Sequence, residues 1–74
     1  MPAPRLSIHA QDQMQAREVT EADVQSALNR PSGDPRVANN GNIVVLGYAS
    51  RGRILKVVLT PDRTEIITVA WPDE

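Results

Sequence analysis

The chain has 74 residues, and its eight lysines and arginines nearly balance nine aspartates and glutamates. This length predicts a single domain over residues 1–74. The absence of cysteine excludes disulfides and thiolate metal sites. The formal net charge of −1 is not that of a general nucleic-acid binder. No apolar run approaches the roughly 18 residues that span a membrane. We expect a cytoplasmic protein that uses no metal and no organic cofactor.

Two short helices are predicted after a frayed segment, residues 1–6. Ser7 is a good N-cap for the first helix, because its hydroxyl can accept a hydrogen bond from a free backbone amide. Thr20 opens the second helix, and Asp23 occupies the position of a capping-box acid. Pro31 ends that helix, since proline cannot continue it.

The first helix carries the only histidine of the chain. His9, Gln13 and Arg17 recur at every fourth position and therefore share one helix face. A histidine aligned with an arginine supplies a proton carrier and a fixed cation, the minimum for metal-independent chemistry on a phosphate ester. The same residues also make an ordinary polar helix face, on which Arg17 ties the corner between the helices. The sequence leaves both interpretations open.

The rest of the chain is predicted as β structure. After a loop with a short edge strand near residues 36–38, three strands are predicted at residues 43–50, 53–60 and 64–71. The register follows if the first hairpin has the two-residue loop Arg51-Gly52 and the second a three-residue loop, residues 61–63. Fold class is then α+β, with two N-terminal helices packed on one face of a three- to four-stranded antiparallel β-meander.

In this register, one face of the sheet collects nearly all the large apolar side chains, and we expect the helices to pack on it. These residues are Val44, Leu46, Tyr48, Leu55, Val57, Leu59, Ile67, Val69 and Trp71. On the opposite face, a row of Gly47, Lys56 and Thr68 crosses the sheet. The two aromatic residues, Tyr48 and Trp71, are therefore predicted to be packing residues rather than a platform for nucleic-acid bases.

The face opposite the helices is too apolar to be left in water. It predicts a homodimer interface formed by Val45, Ile54, Val58 and Ile66, or else a shallow ligand groove or a solvated β surface. Between residues 51 and 56 there are three cations and no anion. This cluster is either a phosphate-binding patch or charge that keeps a hairpin tip soluble.

The pattern H-A-x-x-x-M-x-x-R-x-V-T-x-x-D-V, which runs from His9 to Val24, resembles the opening of small bacterial proteins of the domain of unknown function 4258 family. Gly41 before a Val-rich strand and the segments 55–58 and 67–69 follow in that family's order. One departure is Gln13, where members often have arginine, so the His9 face loses a cation. The layout of helices followed by a sheet is similar to RelE-like toxin nucleases and barnase-like ribonucleases.

The resemblance implies a toxin-like, metal-independent ribonuclease. His9 would act as general base or acid, Arg17 with Lys56 or Arg53 would stabilise charge on the phosphate, and Thr68 would position it. Its partners would be RNA and an antitoxin-like protein. The alternative is a non-catalytic interaction module that dimerises or binds a partner through the open sheet face. Lys56 and Thr68 would then be an ordinary cross-strand polar pair.

Overall fold

The computed structural model describes residues 4–72 as two helices packed on one face of a five-stranded sheet. In chain order the elements are β1 (Arg5–Leu6), α1 (Ile8–Ala16), α2 (Glu21–Asn29), β2 (Arg36–Val37), β3 (Ile43–Tyr48), β4 (Ile54–Leu59) and β5 (Glu65–Ala70). The strand order is β1-β5-β4-β3-β2, with β1 and β5 parallel and the other pairs antiparallel. The α+β class is confirmed, but the sheet is mixed and larger than predicted, and a strand precedes the helices.

The strand β1 replaces part of the segment predicted to be frayed. The Arg5 amide donates to the Thr64 carbonyl at 2.9 Å, and the Ser7 amide donates to the Ile66 carbonyl at 3.0 Å. Residues 1–3, the rest of that predicted segment, lie outside the described residues. The partner strand of β1 is about 60 residues away in the chain, so no local pattern indicates the pairing.

Both predicted helix starts are confirmed. The Ser7 hydroxyl accepts from the Ala10 amide at 3.0 Å. In α2 the capping box is complete, because Thr20 Oγ1 accepts from the Asp23 amide and Asp23 Oδ2 accepts from the Thr20 amide, each at 3.1 Å. The first turn of α2 also carries two acids, Glu21 and Asp23, which stabilise the positive end of the helix dipole.

The corner between the helices is a Schellman-type ending of α1. The Val19 amide donates to the Met14 carbonyl at 2.8 Å, and the Glu18 amide donates to the Gln15 carbonyl at 3.4 Å. Glu18 adopts a φ of 56°, the left-handed region that favours glycine. Met14 and Val19 are both buried, so apolar packing accompanies the turn.

The loop between β3 and β4 has three residues, 50–52, instead of the predicted two. The Ala49 amide donates to the Arg53 carbonyl at 2.8 Å, and Gly52 adopts a φ of 84°. This extra loop residue shifts the register of the hairpin by one position.

The shift exchanges the two faces of β3. Val45 lies opposite Val57, and Leu46 lies opposite Lys56. Val45 is therefore buried, whereas Tyr48 is 38% exposed on the face away from the helices. The prediction that Val44, Leu46 and Tyr48 pack under the helices is wrong, and so is the placement of Val45 on the open face.

A bulge changes the facing of β5. Leu59 lies opposite Ile66 while Val58 lies opposite Thr68, so β5 contains one more residue than β4 at this point. As a result Ile66 and Val69 both reach the core and are at most 1% exposed. The sequence places Ile66 on the open face, and the bulge explains why that placement is wrong.

Gly47 is the point at which α2 crosses the sheet. A Cβ atom at this position would overlap the carbonyl group of Ala27 and lie 2.9 Å from its Cα. Ser26 Oγ donates to the Tyr48 carbonyl at 2.8 Å, and the Tyr48 amide donates to the Arg30 carbonyl at 3.0 Å. Gly47 therefore faces α2, not the open face where the sequence places it.

The hydrophobic core lies between the two helices and the sheet. Ala10 and Met14 of α1, and Val24 and Ala27 of α2, pack on Leu55 and its buried neighbours in the sheet. Within residues 4–72 there is no helix long and apolar enough to cross a membrane.

Candidate functional site

His9 and Arg17 lie at opposite ends of α1. His9 is the second residue of the helix and is exposed, whereas Arg17 is the C-cap and is half-buried. Eight residues at about 1.5 Å of rise each separate them by about 12 Å along the axis. Of the two, only Arg17 lines the cleft described below.

Lys56 and Thr68 lie together on the open face of the sheet, the face away from the helices. Lys56 lies opposite Ala70, and Thr68 lies opposite Val58, so the pair is diagonal rather than directly across. Both side chains are half-buried. The four residues proposed as a catalytic set are therefore divided, because α1, with His9 and Arg17, packs on the other face.

Tyr48 joins Lys56 on the open face, a position that the sequence-based register missed. Lys56 lies opposite Leu46, so Tyr48 is its diagonal neighbour on β3. The Arg30 guanidinium lies 5.8 Å from the centre of the Tyr48 ring. This contact joins the end of α2 to the rim of the open face.

A second candidate site is a cleft of about 680 Å³ where the helical corner meets the β3–β4 hairpin and the end of β5. We call it the corner cleft. Its lining residues are Met14, Gln15, Arg17, Glu18, Val19, Thr20, Asp23, Ala49, Ser50, Arg51, Arg53 and Trp71. Three of them are arginines, from two distant segments of the chain. A smaller groove of about 410 Å³ beside β1 has one arginine, Arg5, and one acid, Glu21, in its lining.

Trp71 forms one side of the corner cleft. Its indole nitrogen donates to the Arg17 carbonyl at 2.8 Å, and the Arg53 guanidinium lies 4.2 Å from the ring centre. The ring is half-buried, because it packs against the hydrophobic core and also lines the cleft. Trp71 is a packing residue, as predicted, and the Arg53 guanidinium covers one face of its ring, so that a planar cation is held at the side of the cleft.

The Asp23 carboxylate accepts hydrogen bonds from both sides of the cleft. Its Oδ1 accepts from the Ser50 amide at 3.2 Å and from the Ser50 hydroxyl, while Oδ2 accepts from the Thr20 amide. Burial would raise the pKa of Asp23, but the hydrogen bonds from Ser50 and Thr20 outweigh it, and the pKa lies below the ordinary value of 3.8. The carboxylate therefore stays ionised and connects α2 to the hairpin.

Glu18 is the other acid of the corner cleft. Its side chain is exposed, and it follows Arg17 directly at the left-handed position. The sequence places Glu18 at the corner without assigning it a role. An acid where a helix ending favours glycine, next to an arginine, is the signal that could have marked it.

The chemistry of the corner cleft suits a phosphodiester. Guanidinium groups bind phosphate oxygens through two parallel N–H donors, and an aromatic ring stacks on a base. The lining carries three arginines and two carboxylates, Glu18 and Asp23, so the cleft has a formal net charge of +1. In the part of the chain from residue 4 to 72, no group of three or more His, Asp and Glu side chains could hold a metal ion.

The comparisons with known proteins agree with the resemblance seen in the sequence. Residues 6–71 match the family model described as domain of unknown function, DUF4258. No curated protein and no solved structure matches the chain. The match reaches from β1 through Trp71 and so includes every residue that lines the corner cleft. The likeness to RelE-like nucleases stays a prediction.

Proposed function

This chain belongs to the DUF4258 family, and we propose that it is a toxin-like, metal-independent ribonuclease that binds RNA in the corner cleft. The observation that carries the proposal is the convergence of Arg17, Arg51 and Arg53 on one cleft beside Trp71. Arg17 keeps the phosphate-binding role that the sequence predicts for it. The hairpin arginines take the place of Lys56, which lies on the other face of the sheet.

Single-stranded RNA fits this cleft better than a duplex does. A duplex is bound over a broad basic surface, and the chain has a net charge of −1. A single strand needs only a local set of cations and a planar group on which an unpaired base can stack, here the Arg53 guanidinium that lies over the Trp71 ring. Three phosphate contacts predict a slope of about −2 when the logarithm of the binding constant is plotted against that of salt concentration.

The binding test uses fluorescence anisotropy of a short labelled single-stranded RNA in EDTA. We expect Arg51→Ala and Arg53→Ala each to weaken binding about fivefold to tenfold, since each removes a charge-assisted hydrogen bond to phosphate. Arg36→Ala is the matched control, because Arg36 is an exposed arginine on β2 outside the cleft lining. Equal weakening by all three variants would mean that binding follows total charge, which contradicts the proposal.

The cleavage test measures loss of the same RNA and growth of cells that express the protein. We expect cleavage in EDTA and growth arrest, and an antitoxin-like protein remains the expected partner of such an activity. His9→Ala is included in this test and is expected to cleave like the wild-type protein, because His9 is exposed and outside the cleft lining. Full tolerance of the wild-type protein by cells, together with intact RNA, would exclude a ribonuclease.

A second candidate function is self-association through the open sheet face. Its apolar side chains Val44, Leu46, Ile54 and Val58 are half-buried by their own neighbours, and Tyr48 is exposed beside them. Val45 and Ile66 no longer belong to this surface, because both are in the core. A dimer of two copies predicts a molar mass by light scattering that rises with concentration and falls to the monomer value in Val58→Lys. Val37→Lys is the control, since Val37 is 70% exposed at the edge strand β2.

A further inference from the structure

We infer that Glu18 is the general base that activates the ribose 2′-hydroxyl for RNA cleavage in the corner cleft, an inference that rests on the proposed function. The substrate class is a single-stranded RNA with a free 2′-hydroxyl next to the scissile phosphate. The sequence assigns the proton-transfer role to His9, which the structure places outside the cleft lining.

Among the residues that line the corner cleft, two side chains are carboxylates. Asp23 accepts hydrogen bonds from Thr20 and Ser50 and is buried, so taking up a proton would break the tie between α2 and the hairpin. Glu18 is exposed and belongs to the cleft lining. It therefore has access to a bound substrate, which Asp23 lacks.

The backbone around Glu18 is fixed on both sides. The peptide before it is held by the bond from the Trp71 indole to the Arg17 carbonyl, and the peptide after it is held by the bond from the Val19 amide to the Met14 carbonyl. A general base must be held close to the hydroxyl that it deprotonates. Glu18 also adopts a left-handed φ of 56°, which is energetically unfavourable for a residue other than glycine.

The step balances as a transesterification. The Glu18 carboxylate takes the proton of the 2′-hydroxyl, the 2′ oxygen forms a bond to phosphorus, and the bond from phosphorus to the 5′ oxygen breaks. The leaving 5′ oxygen takes a proton from water, and the products are a 2′,3′-cyclic phosphate and a 5′-hydroxyl end. Arg17 and Arg53 lie beside the same cleft, where they stabilise the charge on the phosphate oxygens.

The experiment measures binding and cleavage separately for Glu18→Gln, Glu18→Gly and His9→Ala. The substrate is a labelled single-stranded RNA in EDTA, with a copy that carries a 2′-deoxyribose at the cleavage position. Arg63→Gly is the matched control, because Arg63 is the other described residue besides glycine with a positive φ, 63°, and lies outside the cleft lining. Thermal melts verify that each variant is folded.

We expect both Glu18 variants to cleave about 10²- to 10⁴-fold more slowly, the usual contribution of a general base, while their dissociation constants stay within threefold of wild type. Arg63→Gly cleaves at the wild-type rate, and the 2′-deoxy substrate stays intact. Wild-type cleavage by Glu18→Gly overturns the inference and leaves the proposed ribonuclease standing. Loss of activity in His9→Ala with a normal rate in Glu18→Gln also overturns it. If wild-type protein neither binds nor cleaves RNA, the proposed function itself fails.

Discussion

The indole nitrogen of Trp71 donates a 2.8 Å hydrogen bond to the carbonyl oxygen of Arg17, 54 residues away in the chain. This bond attaches the end of the sheet to the last turn of α1. It places an aromatic ring, a guanidinium and the helical corner around one cleft. The shape of the corner cleft therefore depends on a contact between the two ends of the domain.

Replacing Trp71 by Phe tests this attachment. Phenylalanine keeps most of the packing but leaves the Arg17 carbonyl without its donor, so we expect a loss of about 1–2 kcal/mol in the free energy of unfolding. If the proposed function holds, we also expect weaker RNA binding, because the indole that supports Arg53 is lost and the helical corner is no longer attached to it. Urea denaturation and anisotropy measure the two effects. Tyr48→Phe, which alters the aromatic residue of the open face, is expected to change neither; a similar loss there would argue against a specific role for the indole.

Gly47→Ala is predicted to be the most damaging conservative change in the sheet. The added methyl group would overlap the Ala27 carbonyl, and two backbones must separate to admit it. We expect a loss of about 3 kcal/mol or more, at the upper end for overpacking. Gly33→Ala is the control: Gly33, unlike Gly47, has a positive φ, 87°, but nothing lies within 4 Å of its added Cβ, so only the backbone cost of about 1 kcal/mol is expected. Equal losses in denaturant titrations would contradict the close approach of α2.

Stability is predicted to fall in acid partly through Asp23. Because the folded-state pKa of Asp23 lies below its ordinary value of 3.8, its contribution is present above that value and is lost as the pH falls through the lowered pKa. Urea titrations from neutral pH to about pH 2 measure this loss, and Asp23→Asn makes the dependence shallower.

The pKa of Asp62 is also lowered, through hydrogen bonds from Thr60 and Thr64, so some acid sensitivity persists in Asp23→Asn. Asp12→Asn, at an exposed position on α1, is the control that should leave the wild-type curve unchanged. If wild type and Asp23→Asn showed the same pH dependence of stability, Asp23 would not contribute to the acid sensitivity.

Glycine at either left-handed position is predicted to stabilise the fold. Glu18 has a φ of 56° and Arg63 a φ of 63°, and glycine adopts this region without the steric cost of a side chain. We expect Glu18→Gly and Arg63→Gly each to gain about 0.5–1 kcal/mol, or a few degrees in Tm for a domain of this size. Differential scanning calorimetry measures the shift, and a lower Tm for either variant would contradict the assigned backbone geometry.

Local signals were sufficient for the helices. The caps at Ser7 and Thr20 each depend on a partner three residues away, so the amino-acid order alone predicts them. The family pattern from His9 to Val24 lies in the same stretch, and the family model confirms it. The strands were predicted at nearly their observed positions, because runs of Val, Ile and Leu between turn residues indicate β structure.

The register of the sheet could not be predicted from neighbouring residues in the same way. Ser50 belongs to the hairpin loop and donates to Asp23 of α2, 27 residues earlier. The two-residue turn expected from Arg51-Gly52 did not account for this contact, and a one-residue error sends every side chain of β3 to the opposite face. The same error placed Gly47 and Val45 on the open face and Tyr48 in the core.

The sequence by itself determined the helices, their caps, the strand positions and the family, since each depends on neighbours along the chain. Only the tertiary structure decided the strand faces, the parallel pairing of β1 and the composition of the corner cleft. Arg17, Arg53 and Trp71 meet there through contacts between distant segments. Such contacts follow from how the helices cross the sheet, and this crossing is set by packing around Gly47 and Ala27 rather than by any local pattern.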